Sequence, residues 1–205
     1  MDFTYLFEPY EALLNRADKA FQRIAHEYPD CISCKRGCSD CCHAVFGLFL
    51  VEALFLKYDF DQLERKEREK AVMRADKADD DLKLVEKRLR AFENDPMMTS
   101  YALAKERIRC PLLNDNNDCV LYPYRPITCR VYGIPVAFQG KARVCGRSQF
   151  KKGKGYPAFD LDGVYRELHA MSRQLLENAG KKDLKQASLL ISVSKAIRTP
   201  TEGFI

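Results

Sequence analysis

The sequence lacks the features that would assign it to an exported or membrane class. Near the N-terminus there is no basic stretch followed by an apolar run and a small-residue cleavage site, which is the pattern of an export signal. The most apolar stretch, residues 44–56, is interrupted by Glu52 and is shorter than the roughly 20 residues that span a bilayer. We therefore expect a soluble, cytoplasmic protein with no membrane partner.

The chain also has little excess of one charge. Lys and Arg number 34 against 29 Asp and Glu, a net charge of +5 that by itself indicates neither a nucleic-acid nor a membrane partner. There is no phosphate-binding glycine loop, no Ser-His-Asp pattern, no convincing pair of catalytic carboxylates and no internal repeat. No catalytic constellation is therefore visible, and enzymatic activity stays an open question at this point.

What the chain does contain is nine cysteines in two sets. The first set reads Cys31-x2-Cys34-x3-Cys38-x2-Cys41-Cys42, and the second reads Cys110-x8-Cys119-x9-Cys129-x15-Cys145. Two or three intervening residues form a turn that points both sulfurs at one centre. In a reducing compartment, an odd number of cysteines with two adjacent favours metal over disulfides. All nine are candidate metal ligands, and the eight from Cys34 onwards are the candidate cofactor-binding residues.

The spacing of apolar residues predicts a mainly α fold with little β structure. Apolar positions three and four residues apart predict an amphipathic helix over residues 9–28, and a buried helix is expected over residues 51–56. Asp61 with Glu64 resembles a capping box at the start of a long helix reaching about residue 93. That helix carries ten basic and ten acidic residues, which is typical of a solvated face with side-by-side ion pairs.

Three shorter helices are expected further along the chain. One ends near Ile108, one is capped by Asp160 and ends before Gly180, and one runs from Asp183 to about residue 197. Between the first two, residues 109–157 are rich in Pro, Gly and Asn and have few apolar residues at a regular period. Metal ligation is the usual way in which such a segment acquires a fixed shape.

These patterns together predict one metal-binding domain over residues 1–205. Its core, residues 31–145, consists of irregular cysteine-rich loops folded around a metal centre. Helical ends, residues 1–30 and 158–205, flank this core. The wide spacing of the second cysteine set indicates that its loops close over a centre begun by the first set.

The order of the motifs resembles a known family. The run Cys34-Lys35-Arg36-Gly37-Cys38-Ser39-Asp40-Cys41-Cys42 is followed by Cys110-Pro111-Leu112-Leu113 and then by Cys119-x-Leu121-Tyr122-x2-Arg125-Pro126-x2-Cys129-Arg130. This combination resembles the YkgJ-type cysteine-cluster family of zinc- or iron-chelating domain proteins. The resemblance implies metal chelation, often as an iron-sulfur centre, and most members have no assigned reaction. One related branch is a flagellin lysine methylase that uses S-adenosylmethionine, so a methylase-like enzyme is an alternative.

The choice between iron-sulfur and zinc depends on the arrangement of the cysteines. The thiolates suffice for a four-iron (4Fe-4S) cluster with spare thiols, for two clusters, for two tetrahedral zinc ions or for a mixture. Adjacent Cys41 and Cys42 fit one mononuclear tetrahedron poorly, because neighbouring side chains tend to point apart. His43 is the only histidine in the loops. We therefore favour an iron-sulfur cofactor with a redox or electron-transfer role and keep zinc as the alternative.

Basic residues surround the second cysteine set. Residues 105–154 contain eleven Lys and Arg against three Asp and Glu, a local charge of +8. Arginines near the second set can offset thiolate charge, and each of the following lies within four residues of a cysteine: Arg109, Arg125, Arg130, Arg143 and Arg147. Tyrosines interleave with these cations, as in a nucleic-acid-binding or zinc-stabilised interaction module. Nucleic acid is not favoured, because no recognition motif accompanies the patch; metal ions are the expected partners, and a protein partner is unidentified.

Several other residues are weaker candidates. The spacing Cys34-x3-Cys38-x2-Cys41 is that of radical S-adenosylmethionine enzymes, but the chain offers little strand for the barrels that those enzymes resemble. His43 is a candidate ligand, with a turn histidine as the alternative. His26 and His169 are expected on helices as surface or packing residues. Side chains next to the second set are candidates for fixing the loop: Tyr122, Arg125 and Arg130.

Overall fold

The computed structural model describes residues 3–204, with the side chains of Pro96 and Ser100 left out. Residues 1, 2 and 205 of the expected domain lie outside the described part. The structure is 58% helical, which confirms the mainly α prediction. The helices are α1 (Phe7–Glu27), α2 (Leu50–Asp61), α3 (Arg65–Leu89), α4 (Pro96–Leu103), α5 (Ile127–Val131), α6 (Leu161–Asn178) and α7 (Val193–Arg198).

A small three-stranded sheet accompanies the helices. Its strands are β1 (Val136–Phe138), β2 (Lys141–Arg143) and β3 (Phe159–Asp160), in the order β2-β1-β3. β1 runs antiparallel to β2 and parallel to β3. The hairpin between β1 and β2 turns at Gln139 and Gly140, both with positive φ, and the carboxylate of Asp162 accepts from both backbone N–H groups. Strands of two or three residues are too short to show alternation in the sequence.

α1 is amphipathic, as its periodicity predicts. Tyr10, Leu13, Leu14, Ala17 and Ile24 are buried on one face. The helix begins two residues before the predicted start, so that the proline at position 9 lies in its first turn, where no N–H is needed. It ends one residue before the predicted end and is followed by a proline.

α2 is the central helix of the core. Residues 50–56 are all buried, so no polar face remains for an amphipathic pattern to show. It packs against α1, α6 and α7. The predicted buried helix is confirmed and continues to Asp61. The elements packed around a fully buried helical segment set its position. For residues 50–56 these elements include α1, which leads into the first cysteine set.

The capping box predicted at Asp61 is wrong. Asp61 is the last residue of α2, where its carboxylate pairs with Lys57 at 2.6 Å. α3 begins at Arg65 after Glu64, whose side chain makes no cap bond. The long helix itself is confirmed, and its buried stripe is narrow, formed by Ala71, Ala75, Ala78 and Val85. The stripe is narrow because only small side chains and one valine face the core.

The helix predicted to end near Ile108 is shorter. α4 ends at Leu103, and Asp95 accepts from the N–H groups of Met97 and Met98 at its start. Arg107 and Ile108 are instead extended and pair with residues that follow the first cysteine set. Tertiary pairing therefore overrides local helix propensity at this point.

Of the two C-terminal helices, the first is confirmed and the second is wrong in part. Asp160 caps α6 by accepting from the Gly163 N–H at 2.8 Å. Asp183 begins only a short 3-10 turn, Leu184–Ser188. The chain then extends, because Ile191 and Leu48 exchange two backbone hydrogen bonds of 2.8 Å. α7 follows with its own cap, Ser192. Among residues 3–204, no helix combines the length and apolar character that a bilayer span needs.

Candidate metal centre

The two cysteine-bearing segments pair through their backbones. The Cys110 N–H donates to the Cys42 carbonyl at 2.7 Å, and the Ile108 N–H donates to the His43 carbonyl at 3.0 Å. Ala44 and Arg107 form an antiparallel bridge in the same register. The second set therefore starts directly beside the end of the first, as the wide spacing of the cysteines predicts.

Tight turns carry the first set. The Cys38 N–H donates to the Lys35 carbonyl at 2.9 Å, in a turn at Gly37 with φ of +81°, a conformation that suits glycine. Cys41 and Cys42 then lie in a single 3-10 turn, Cys41–His43. Such a turn displays successive side chains about 120° apart, so the two adjacent sulfurs can serve different parts of a centre.

Cys110 and Cys119 lie on the two limbs of a second tight turn. Leu113 bridges Cys119, and the Val120 N–H donates to the Leu112 carbonyl at 2.9 Å. The Asn114 side chain accepts from the N–H groups of Asn116 and Asp118, both at 2.9 Å. The sequence of residues 114–118 predicts only a turn. In the structure, this turn fixes the separation of Cys110 and Cys119.

Cys129 is the only cysteine of the second set on a helix. It lies in α5, which packs against α1. The guanidinium of neighbouring Arg130 is 7% exposed and donates to the carbonyls of Pro123 and Arg125 and to Asp18. These bonds hold in place the loop that leads into α5. Arg130 therefore has the loop-fixing role expected for it.

Cys145 joins the first set through Asp40. Its thiol donates to Asp40 Oδ2 at 3.3 Å, and the Arg147 N–H donates to its sulfur at 3.4 Å. Arg107 and Arg147 pair with Asp40 Oδ1 at 2.7 and 3.2 Å. Asp40 therefore links the loop that carries Cys145 to the first cysteine set, and the spacing of the cysteines in the sequence does not predict this role for it.

The cysteines line two neighbouring cavities. The smaller one, of about 80 Å³, is here named the inner cavity and is lined by five of them: Cys41, Cys42, Cys110, Cys119 and Cys129. The larger one, of about 580 Å³, is named the outer cleft; it adds Cys34, Cys38 and Cys145 to four of the same residues, Cys41, Cys42, Cys119 and Cys129. The eight cysteines from Cys34 onwards are thus gathered around one continuous region.

The sulfur of Cys41 is the meeting point of the two sets. Hydrogen bonding from Cys129 and Cys42 lowers the pKa of Cys41 far below the usual thiol range. The same contacts, with burial, raise the pKa of Cys42 and Cys129. The sulfur of Cys41 is therefore in hydrogen-bonding contact with one cysteine of each set.

Desolvation by burial is the largest cause of a raised pKa at four other thiols. It raises the pKa of Cys110 to about 12 and of Cys34 to about 11, and it also raises the pKa of Cys119 and Cys145. A metal ligand must lose its proton. The cost of ionising these partly desolvated thiols is therefore a cost that a bound cation has to offset.

The comparison with protein families decides the family. A family model, CxxCxxCC, described as "Putative zinc- or iron-chelating domain", matches residues 33–146, which is more than half of the chain. The chain belongs to this CxxCxxCC family. No curated protein and no solved structure matches the chain. The family description supports metal binding and leaves zinc and iron equally open.

The CxxCxxCC match includes eight cysteines and leaves out Cys31. Cys31 also lines neither cavity; its carbonyl accepts from the Gln149 N–H at 2.9 Å. His43 lies at the end of its turn with Nδ1 2.9 Å from the Ser39 carbonyl and lines neither cavity, which is the turn-histidine arrangement. Among residues 3–204, no group of three His, Cys, Asp or Glu side chains is positioned to hold an ion as it stands.

The other candidates of the sequence lie around the outer cleft or away from it. Arg125 stacks over the ring of Tyr122 at 3.9 Å, and both line the outer cleft with Arg130. His26 is exposed near the end of α1, and His169 Nε2 lies 3.2 Å from the Ser188 hydroxyl. His26 is therefore a surface residue and His169 is half-buried, in line with the expected surface or packing roles.

Proposed function

We propose that the eight cysteines from Cys34 to Cys145 hold one composite iron-sulfur centre, and that the protein transfers electrons. The observation that carries this proposal is the crowding of sulfurs at Cys41, which contacts Cys42 of its own set and Cys129 of the other. A mononuclear zinc site uses four ligands around one ion. Eight cysteines that share members between two cavities fit a polynuclear centre better.

The donor set fits such a centre chemically. All eight residues are thiols, and an iron-sulfur centre bound by thiolates supplies reversible one-electron transfer. Because no three side chains within residues 3–204 already surround one ion, binding needs the cysteine side chains to turn about χ1. The backbone turns that carry them are fixed by their own hydrogen bonds, so this adjustment stays local.

Nearby cations support an anionic centre. Arg125 lowers the pKa of Cys41, though less than the hydrogen bonds from Cys129 and Cys42 do. Arg107 and Arg147 lie beside Asp40, which contacts Cys145. Cations next to bound thiolates stabilise their negative charge and raise a reduction potential.

Anaerobic purification followed by metal analysis and an absorption spectrum tests the proposal. We expect iron, acid-labile sulfide and a brown protein with an absorption band at about 400 nm, as thiolate-bound iron has. A colourless protein with stoichiometric zinc, purified under the same conditions, would contradict the proposal and establish the zinc alternative.

The outer cleft supports a second candidate function, that of a methylase-like enzyme. An enzyme needs a space for substrate beside the centre, and the cleft of about 580 Å³ supplies one. If the chain acts on S-adenosylmethionine, isothermal titration of the iron-loaded protein should detect binding. A flat titration would remove the support for this candidate while leaving the electron-transfer proposal intact.

The proposal includes one domain working in a reducing, cytoplasmic setting. All nine cysteines are free thiols, which is the form that a metal centre needs and that a reducing compartment maintains. Cell fractionation with an oxidised-thiol assay would check the compartment; finding the protein outside the cytoplasm with disulfides would contradict it.

A further inference from the structure

A basic stretch of the chain surrounds Cys145, one of the cysteines that line the outer cleft. Residues 139–158 contain six Lys and Arg and no Asp or Glu. In α3, by contrast, charges of both signs alternate and pair at short spacing, as in Arg65–Glu69 and Lys83–Asp80. Because charges elsewhere in the chain are balanced, this segment of like charges produces a local positive electrostatic potential.

The lysines of this segment are available to a partner. Lys141, Lys151, Lys152 and Lys154 are exposed, and none of them forms an ion pair within residues 3–204. Their charge is therefore not neutralised by the protein itself. We call residues 141–154 the basic segment.

The basic segment is held in place. The rings of Phe150 and Tyr156 lie 4.9 Å apart and both pack edge-on against Tyr28. The Lys151 N–H donates to the Tyr156 hydroxyl at 3.3 Å. The Ser33 hydroxyl donates to the Arg147 carbonyl at 2.6 Å. A fixed charged surface loses little conformational entropy when a partner binds.

The basic segment also carries one of the eight proposed cysteine ligands. Cys145 lies within it and, with Cys34 and Cys38, lines the outer cleft. Cys34 is exposed. The basic segment therefore borders the outer cleft at Cys145, on the cleft that the exposed Cys34 also lines.

We propose that the basic segment docks an acidic redox protein that exchanges electrons with the cysteine centre. This inference rests on the proposed electron-transfer function. Nucleic acid fits the segment less well, because Phe150 within it and Tyr156 just after it pack against Tyr28 and each other and are not free to stack on bases. Electrostatic complementarity of this kind chiefly raises the rate of encounter.

Charged small oxidants test the surface without knowledge of the partner. The reduced, iron-loaded protein is mixed with anionic hexacyanoferrate(III) or cationic tris(phenanthroline)cobalt(III) at about 10 mM ionic strength, where screening is weak. One electron leaves the centre, and the oxidant's metal is reduced from the trivalent to the divalent state. We expect the anionic reagent to react with a steep decrease in rate as salt is added.

The variant carries three charge reversals: Lys151→Glu, Lys152→Glu and Lys154→Glu. We expect its rate with hexacyanoferrate(III) to fall by about tenfold or more, within the usual range of electrostatic steering, and its rate with the cobalt complex to rise. Iron content and the absorption spectrum should not change, since none of the three lines either cavity.

The matched control reverses three exposed, unpaired lysines of α3: Lys66→Glu, Lys77→Glu and Lys87→Glu. It changes the net charge equally but outside the basic segment, and we expect its rate to stay within about twofold of the wild type. Equal effects of the two triple variants would overturn the docking surface. A wild-type protein that accepts no electron would overturn the proposed function and this inference with it.

Competition separates the two classes of macromolecule. Poly-L-glutamate should slow the hexacyanoferrate(III) reaction of the wild type and not that of the basic-segment variant. Stronger competition by an oligothymidine at equal charge concentration would overturn the choice of an acidic protein. Because spectrum and iron content are measured on every sample, loss of the centre is distinguished from loss of the surface.

Discussion

Glu52 is a buried carboxyl at the point where three helices meet. It is 3% exposed, and its oxygens accept from the N–H groups of Phe49 and Ile127, both at 3.2 Å. The Tyr10 hydroxyl lies 3.5 Å away. Ile127 is the first residue of α5, so Glu52 fixes the start of the helix that carries Cys129. In the sequence, the same residue is noticeable only as an interruption of an apolar stretch.

Glu52 makes stability depend on pH. Burial raises its pKa from 4.5 to about 7, so the folded state holds this proton more tightly than the unfolded state. Its contribution is full below about pH 4.5 and is lost as the pH rises through about 7. A rise in pKa of this size corresponds to at most about 3–4 kcal/mol.

The Glu52→Gln variant should lack this dependence. We expect wild-type stability to fall relative to the variant between about pH 5 and about pH 8, measured by urea unfolding with both proteins in the same metal state. A difference between the two proteins that does not change with pH would show that Glu52 does not titrate in this range.

Gly133 makes room for Cys34. A Cβ built on this glycine would lie 2.3 Å from the Cys34 sulfur and 3.3 Å from the Phe21 ring. We expect Gly133→Ala to displace the sulfur and reduce metal content while the helical circular dichroism signal stays unchanged. Gly146→Ala is the control, because a Cβ there meets nothing within 4 Å. Equal metal content in both variants would be evidence against Cys34 as a ligand.

At the scale of the elements, the predictable ones are those whose pattern is local. α1 and α6 show amphipathic periodicity, and Asp160 is recognisable as a cap. The segments that the sequence does not predict are those that pair with distant backbone: Ile191 with Leu48, and Ile108 with His43. Propensity in a short window carries no information about such partners.

The cap of α6 should contribute measurably to stability. Asp160→Ala removes the acceptor of the Gly163 N–H and should lower the free energy of unfolding by about 1 kcal/mol, measured by chemical denaturation. Glu86→Ala, which removes an exposed carboxylate inside α3, is the control and should change it by less than about 0.5 kcal/mol. Equal losses would mean that the Asp160 bond adds nothing beyond its charge.

At the scale of the whole molecule, the sequence predicts that the two cysteine sets meet, and the structure brings eight of the nine around one region. The sequence does not predict which sulfurs are neighbours. The contact of Cys41 with Cys129 depends on α5 packing against α1, and the link from Cys145 to Asp40 depends on a side-chain bond between loops. Cys31, a candidate by its spacing, lines neither cavity.

The most direct test of a composite centre is the iron and acid-labile sulfide content, per chain, of Cys129→Ser purified anaerobically beside Cys31→Ser. Cys129 lies between the two cavities, and Cys31 lies outside both. We expect Cys31→Ser to retain the wild-type content and Cys129→Ser to lose most of it, with a weaker absorption band. Full iron and sulfide in Cys129→Ser would contradict the account, because the two cysteine sets would then not share one centre.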